Sequence, residues 1–96
     1  KAFIGTDVIM GDNNIVNTGS VLEHQAKIGS HTHIGPKAVL GGHVNIGNNV
    51  LIGLGAKIVS SIKICSNCTI GAGAVVTKNI NKSGTYVGVP AKKIKK

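Results

Sequence analysis

An aliphatic residue recurs at every sixth position from Ile4 to Val76 without a break: Ile4, Met10, Val16, Leu22, Ile28, Ile34, Leu40, Ile46, Ile52, Ile58, Ile64, Ile70 and Val76. Gly follows the aliphatic in eight of these thirteen cases, and the residue two places before it is mostly small, as at Ser20, Ala26, Thr32, Ala38, Ala56, Cys68 and Ala74. Self-similarity at this period signals a parallel β-helix. In each unit a short strand with small-in, variable-out, aliphatic-in alternation takes three residues, and a tight turn, often led by Gly, takes the other three. Three units close a triangular coil of eighteen residues. Stacked coils then pair every strand with the one eighteen residues away at roughly 4.8 Å, and the aliphatics line up as interior columns. About four coils fit between Lys1 and Asn81.

A chain of 96 residues is one small domain, and such a domain buries proportionately little surface, so partner subunits are the expected source of additional stability. With one Phe, one Tyr and no Trp, the core has to be built from Ile, Val, Leu and Ala. From Lys82 the six-residue step fails, and Ser83-Gly84 followed by Gly88-Val89-Pro90 marks a departing tail. The sequence thus divides into a repeat region, 1–81, and a basic C-terminal tail, 82–96. The first residue is Lys rather than Met, which suggests a fragment of a longer chain.

The formal charge of +8 comes from eleven Lys and no Arg against two Asp and one Glu, and six of the Lys lie between Lys78 and Lys96. That balance suits phosphate-bearing partners or substrates. It does not suit nucleic acid, since Arg is missing and stacking aromatics are scarce. No apolar run is long enough to span a bilayer and no secretory signal is present, so a cytoplasmic location is expected. Cys65 and Cys68 form a lone C-x-x-C without the second pair of a zinc site, and the spacing places Cys68 in an inward column and Cys65 in a turn.

The chemistry concentrates between Leu22 and Gly35, LEHQAKIGSHTHIG, where Glu23, His24 and His33 occupy outward positions. Folding the numbering by eighteen stacks His24, Gly42 and Ser60 along one corner. A Gly beside a His leaves an open groove and an approachable backbone N–H. Acyl transfer needs that combination: a base for the acceptor's proton and a donor for the oxygen of the tetrahedral intermediate. No Ser or Cys stands beside His24 as a nucleophile, which points to direct transfer without an acyl-enzyme. His31 shares its column with Asn13, Asn49 and Asn67, all turn formers, and reads as a corner residue. His43 stacks on Gln25, beside the candidate site.

With this repeat the sequence closely resembles the hexapeptide-repeat acyltransferases over nearly its whole length. Within them VLEHQAKIGSHTHIGPKAVLGG, IGAGAVVTKNI and the ending YVGVPAKKI are similar to the sialic acid O-acetyltransferase and UDP-4-amino-sugar N-acetyltransferase branch. The resemblance implies an all-β, left-handed parallel β-helix of hexapeptide repeats that assembles as a homotrimer. It implies acetyl-CoA as co-substrate and a nucleotide-linked sugar as acceptor, and it supplies an N-terminal sugar-nucleotide domain that these residues do not contain. It makes His24, in the Glu-His motif, the general base. His33, nine residues later, contacts the acetyl thioester, and Gly42 offers its amide nearby. Leu54 and Ala72, eighteen apart and so in one column, touch the coenzyme. Lys92, in the Gly-x-Pro-Ala-Lys ending, clamps coenzyme phosphates, while Lys95 and Lys96 are expected to be solvated.

Close relatives often place an acidic residue after the base, whereas this chain has Gln25, which orients an imidazole without adding charge and leaves either a weaker base or Glu23 as the substitute carboxylate. The expected function is therefore acetyl-CoA-dependent acetylation of an amine or hydroxyl on a sugar. The alternatives are a noncatalytic trimerising β-helix of a larger enzyme, or a metal site like that of the gamma-class carbonic anhydrases, whose ligand spacing His24, His31, His33 and His43 do not reproduce. In a trimer, apolarity would bury the faces carrying Phe3, Val21 and Val39 and carrying Ile15, His33 and Leu51. A coenzyme spanning the His24 and Leu54 columns would instead bury the latter face with the one carrying Ile9, Lys27 and Asn45. Either arrangement brings His33 of one subunit towards His24 of the next.

Overall fold

The computed structural model describes residues 1–94, so the expectation for Lys95 and Lys96 lies outside the described residues. The chain is a parallel β-helix whose three faces are three sheets. The first face stacks β1 (Phe3–Ile4), β4 (Val21–Leu22), β7 (Val39–Leu40), β10 (Lys57–Ile58) and β13 (Val75–Val76). The second stacks β2 (Ile9–Met10), β5 (Lys27–Ile28), β8 (Asn45–Ile46) and β11 (Lys63–Ile64). The third holds β3 (Ile15–Val16), β6 (His33–Ile34), β9 (Leu51–Ile52), β12 (Cys68–Ile70), β14 (Gly84–Val87) and β15 (Lys92–Lys93). Up to β13 every pair is parallel with a step of eighteen residues, as in Val21↔Val39, Lys27↔Asn45 and His33↔Leu51. Among the described residues there is no helix, and none long and apolar enough to cross a membrane.

The interior holds the aliphatic columns that the period dictates. Leu22, Ile34, Leu40, Ile52 and Ile70 are fully buried, and the small column of Ser20, Ala26, Thr32, Ala38, Ala56, Cys68 and Ala74 is buried beside them. Ile4 and Met10, in the first of the described coils, belong to the same columns but are 46% and 38% exposed.

The glycines after the aliphatics have a different role from the one their position in the turn suggests. The left-handed backbone conformation falls two residues later, at Asp7, Asn13, Gln25, His31, Lys37, His43, Asn49, Ser61 and Asn67 with φ of 56 to 65°, and Gly19, Gly55 and Gly73 fill the same slot elsewhere. Asn, Asp and His tolerate this region better than most residues, so His31 is a corner residue in the column of Asn13, Asn49 and Asn67. The glycines directly after the aliphatics are required by close approach of the next coil: a Cβ on Gly35 would stand 2.7 Å from the Ile52 carbonyl oxygen, and one on Gly29 2.6 Å from that of Gly47. Gly35→Ala is therefore expected to destabilise the coil by about 1–3 kcal/mol. Gly55→Asn, at φ 68° with open space around it, should cost less than about 1 kcal/mol. Thermal melts of the two variants check this, at roughly 4–8 °C per kcal/mol for a domain of this size.

The end of the chain departs from the sequence-based division. The repeat does not stop at Asn81; it loses two residues between Val76 and Ile80 and continues. Ile80 bridges Ile64, sixteen residues away, and Asn79 Oδ1 accepts the Lys63 N–H at 2.9 Å. β14 pairs with β12 at the same step of sixteen, Ile70 opposite Tyr86. The segment read as a departing tail thus contributes a strand to the third sheet, and β15 folds back antiparallel on it. The six-step test misses this because a two-residue deletion moves every later column at once.

Candidate active site

The corner between the first and second faces is built from Glu23–Ala26 and the equivalent turns one and two coils further on. His24 projects there, exposed, as expected from the column map. Its Nδ1 lies 3.2 Å from Gln25 Oε1. With the amide oxygen accepting, Nδ1 carries the proton and Nε2 keeps its lone pair. Gln25 therefore sets the tautomer, and the imidazole is not paired with Glu23, which lies half-buried on the other side of His24 in sequence.

Nε2 faces Gly42. A Cβ on Gly42 would stand 2.8 Å from Nε2 and 2.9 Å from Cε1, so the ring occupies space that only glycine leaves open. His43 completes the enclosure: its ring meets that of His24 edge to face, with centroids 5.2 Å apart and planes at 88°, and its N–H donates to the His24 carbonyl at 3.1 Å. The column position of His43 pointed to this neighbourhood; the ring contact depends on side-chain direction, which the period does not encode.

The Gly42 N–H has a further distinction. At the corner between the second and third faces, the equivalent turn N–H groups are capped by side chains of the next coil. Asp12 N–H donates to Ser30 Oγ at 2.9 Å, Ser30 N–H to Asn48 Oδ1 at 2.8 Å and Asn48 N–H to Ser66 Oγ at 2.8 Å. Among the described residues no such cap reaches Gly42, Leu54 or Ala72. These three amides thus have no protein partner; Leu54 and Ala72 are exposed, whereas Gly42 is buried beside the His24 ring, so a ligand reaches its N–H only when that ring shifts.

The remaining candidates are dispersed. Leu54 (56% exposed) and Ala72 lie in one column at the corner between the third and first faces. His33 is half-buried and outward on β6, in the third face, so the aliphatic core separates it from His24 of the same chain. Lys92, on β15, lies at the rim of a cavity of about 250 Å³ left by the shortened last coil, together with Lys78, Tyr86 and Pro90. The sequence reading passed over Lys78, although its number falls in the column of His24, Gly42 and Ser60, three coils above the base or roughly 14 Å along the axis.

The two thiols lie apart from this corner. Cys65 and Cys68 are free, with Sγ atoms 3.5 Å apart, and burial, followed by the Cys65 thiol, pushes Cys68 up to about 11. Cys68 is buried in the small column and Cys65 is half-buried at the turn.

Two repeat-family descriptions tile the coil: the bacterial transferase hexapeptide (six repeats) over residues 3–42 and the hexapeptide repeat of succinyl-transferase over residues 43–78. The chain belongs to the hexapeptide-repeat transferases. Its fold is accordingly the left-handed parallel β-helix of that family. Among solved structures it is similar to GDP-perosamine N-acetyl transferase from Caulobacter crescentus in complex with CoA and GDP-perosamine, at 31% identity and a TM-score of 0.88, covering 99% of this chain and 51% of that one. It is also similar to a serine acetyltransferase in complex with CoA, at 32% identity and a TM-score of 0.75, covering 97% of this chain and 39% of that one. A maltose O-acetyltransferase from Clostridium difficile matches at 26% identity and a TM-score of 0.67, covering 98% and 68% of the respective chains. The chain thus spans about half the length of the perosamine enzyme. No curated protein matches it significantly in sequence.

Proposed function

We propose that this hexapeptide-repeat domain carries out acetyl-CoA-dependent acetylation of an amino or hydroxyl group on a nucleotide-linked sugar in the cytoplasm, by direct transfer with His24 as general base. The observation that carries this reading is the His24 ring, held by Gln25 at Nδ1 with Nε2 facing Gly42, whose N–H has no protein partner among the described residues. As the acceptor's N or O attacks the thioester carbonyl, Nε2 takes its proton. Gly42 N–H donates to the oxygen that becomes negative in the tetrahedral intermediate, and the sulfur leaves with its electron pair and takes the proton from His24. Gln25 keeps Nε2 free to act, and Glu23 adds negative potential beside it. Leu54 and Ala72 offer open amides to the pantetheine arm, and Lys78 and Lys92 suit its phosphates. The CoA complexes of two similar enzymes support the coenzyme, and GDP-perosamine supports the acceptor class.

The working unit in this reading is a homotrimer in which His33 of one subunit approaches His24 of its neighbour at the acetyl group. Complementation tests it. His24→Ala and His33→Ala chains, each inactive alone, should regain part of the wild-type rate when refolded together, because some interfaces then pair an intact His24 with an intact His33. A mixture as inactive as its parents, with mixed trimers seen by mass spectrometry, defeats the shared site. A noncatalytic assembly role is the second reading, favoured by the exposure of Phe3 (57%) and Ile15 (54%) on two faces. A thermal shift on adding acetyl-CoA separates the two, since a scaffold has no reason to respond to it.

A further inference from the structure

A cavity of about 620 Å³ opens on the second face beside the His24 corner, lined by Asp7, Val8, Ile9, Gln25, Lys27 and His43. Its size is that of a small-molecule site. Its lining spans three coils: Asp7, Val8 and Ile9 one coil below the base, Gln25 and Lys27 level with it, and His43, whose ring touches that of His24, one coil above. A base that takes a proton from one reactant while a donor holds the other has the two reactants on either side of it. With Gly42 in the coil above, the part of the cavity lined by Asp7, Val8 and Ile9 is the part on the opposite side of the base.

Asp7 is one of only three acidic residues in a chain of net charge +8, and the only one that lines this cavity. Its left-handed backbone (φ 59°) fixes it in the turn below Gln25 and His43, and its side chain is exposed. Among the described residues neither its carboxylate nor the Lys27 ammonium has an ion-pair partner within 4.0 Å. The cavity thus presents one anion and one cation, neither neutralised by the protein. A nucleotide-linked amino sugar carries the complementary pair, an ammonium and a phosphate, whereas its hydroxyl counterpart carries the phosphate alone.

We infer that Asp7 is the specificity residue for an amine acceptor: its carboxylate holds the sugar ammonium in front of His24 while Lys27 faces the nucleotide phosphate. The inference rests on His24 being the base and adds the choice of nitrogen over oxygen. Held there, the ammonium gives up one proton to solvent; the free amine then forms the C–N bond, passes its second proton to Nε2, and the C–S bond breaks with the electron pair and that proton ending on sulfur. The products are the acetamido sugar, CoA and one released proton.

Calorimetry without acetyl-CoA tests recognition apart from chemistry, using GDP-perosamine and the same GDP-sugar with a hydroxyl in place of the amine. The wild-type chain is expected to favour the amine by about tenfold, equivalent to roughly 1.4 kcal/mol. Asp7→Asn, which keeps both shape and tolerance of the left-handed turn, should abolish the preference and leave acetyl-CoA affinity unchanged, whereas Lys27→Gln should weaken both ligands alike. Equal binding of the two sugars by the wild type, a preference surviving in Asp7→Asn, or a loss in Lys27→Gln confined to the amine would each overturn the assignment. His24→Ala keeps the two readings apart: transfer surviving in that variant refutes the base while leaving the Asp7 measurement intact.

Discussion

His24→Ala is expected to remove acetyl transfer, with a loss of about 10²–10⁴ in kcat that is the usual contribution of a positioned general base. The coil itself should be untouched. The imidazole is exposed at a corner, outside the aliphatic columns, and among the described residues its only side-chain hydrogen bond is to the neighbouring Gln25. Surface positions of this kind change stability by less than about 0.5 kcal/mol. A transfer assay beside a circular dichroism melt decides the matter: wild-type turnover with an unchanged melt excludes His24 as the base, and a collapsed melt makes it structural. Acetyl-CoA affinity should survive the substitution, because the exposed Leu54 and Ala72 turns are untouched and removal of the ring uncovers Gly42.

Gly42→Val should be nearly as damaging, through the same ring. The first atom of the new side chain would fall 2.8 Å from Nε2, so the imidazole must swing out to solvent, away from its partner amide, and the branched side chain then fills the space in front of that amide. Both acetyl-CoA binding and turnover are expected to fall, the former by at least about tenfold, equivalent to roughly 1.4 kcal/mol. The fold should survive, since the obstacle is a displaceable side chain. Gly41→Ala provides the contrast: its Cβ would meet Ser60 backbone atoms at 2.7 and 2.9 Å, which cannot move without parting two coils. That variant should therefore lose about 1–3 kcal/mol of stability. In the double variant His24→Ala, Gly42→Val the activity losses should not add, because both substitutions remove the same base from the same place. Full additivity would mean that Gly42 acts independently of the imidazole.

The spacing of one residue type determined most of this molecule. An unbroken step of six places each strand over the one eighteen residues away, and in a solenoid each coil is positioned by its neighbours alone, so register, core and corners follow without any long-range information. That is why the column of His24, Gly42 and Ser60 could be read directly, why His31 could be set aside as a turn residue, and why Leu54 and Ala72 fell together. Where the step changed, the reading lost its coordinates. A two-residue deletion after Val76 hid β14, and with it the cavity shared by Lys78 and Lys92.

Tertiary structure decided what depends on direction and distance within a column. The glycines after the aliphatics serve coil-to-coil contact rather than backbone conformation, because the left-handed residue sits two positions further on. Gln25, not Glu23, holds the His24 ring, and His43 meets that ring edge to face. One corner has its turn amides capped by the next coil, while Gly42 at the His24 corner has no such cap among the described residues. A column number states which residues are stacked; only the placed atoms determine which amides lack a cap, where Nε2 points, and that Asp7 and Lys27 line one cavity with Gln25 and His43.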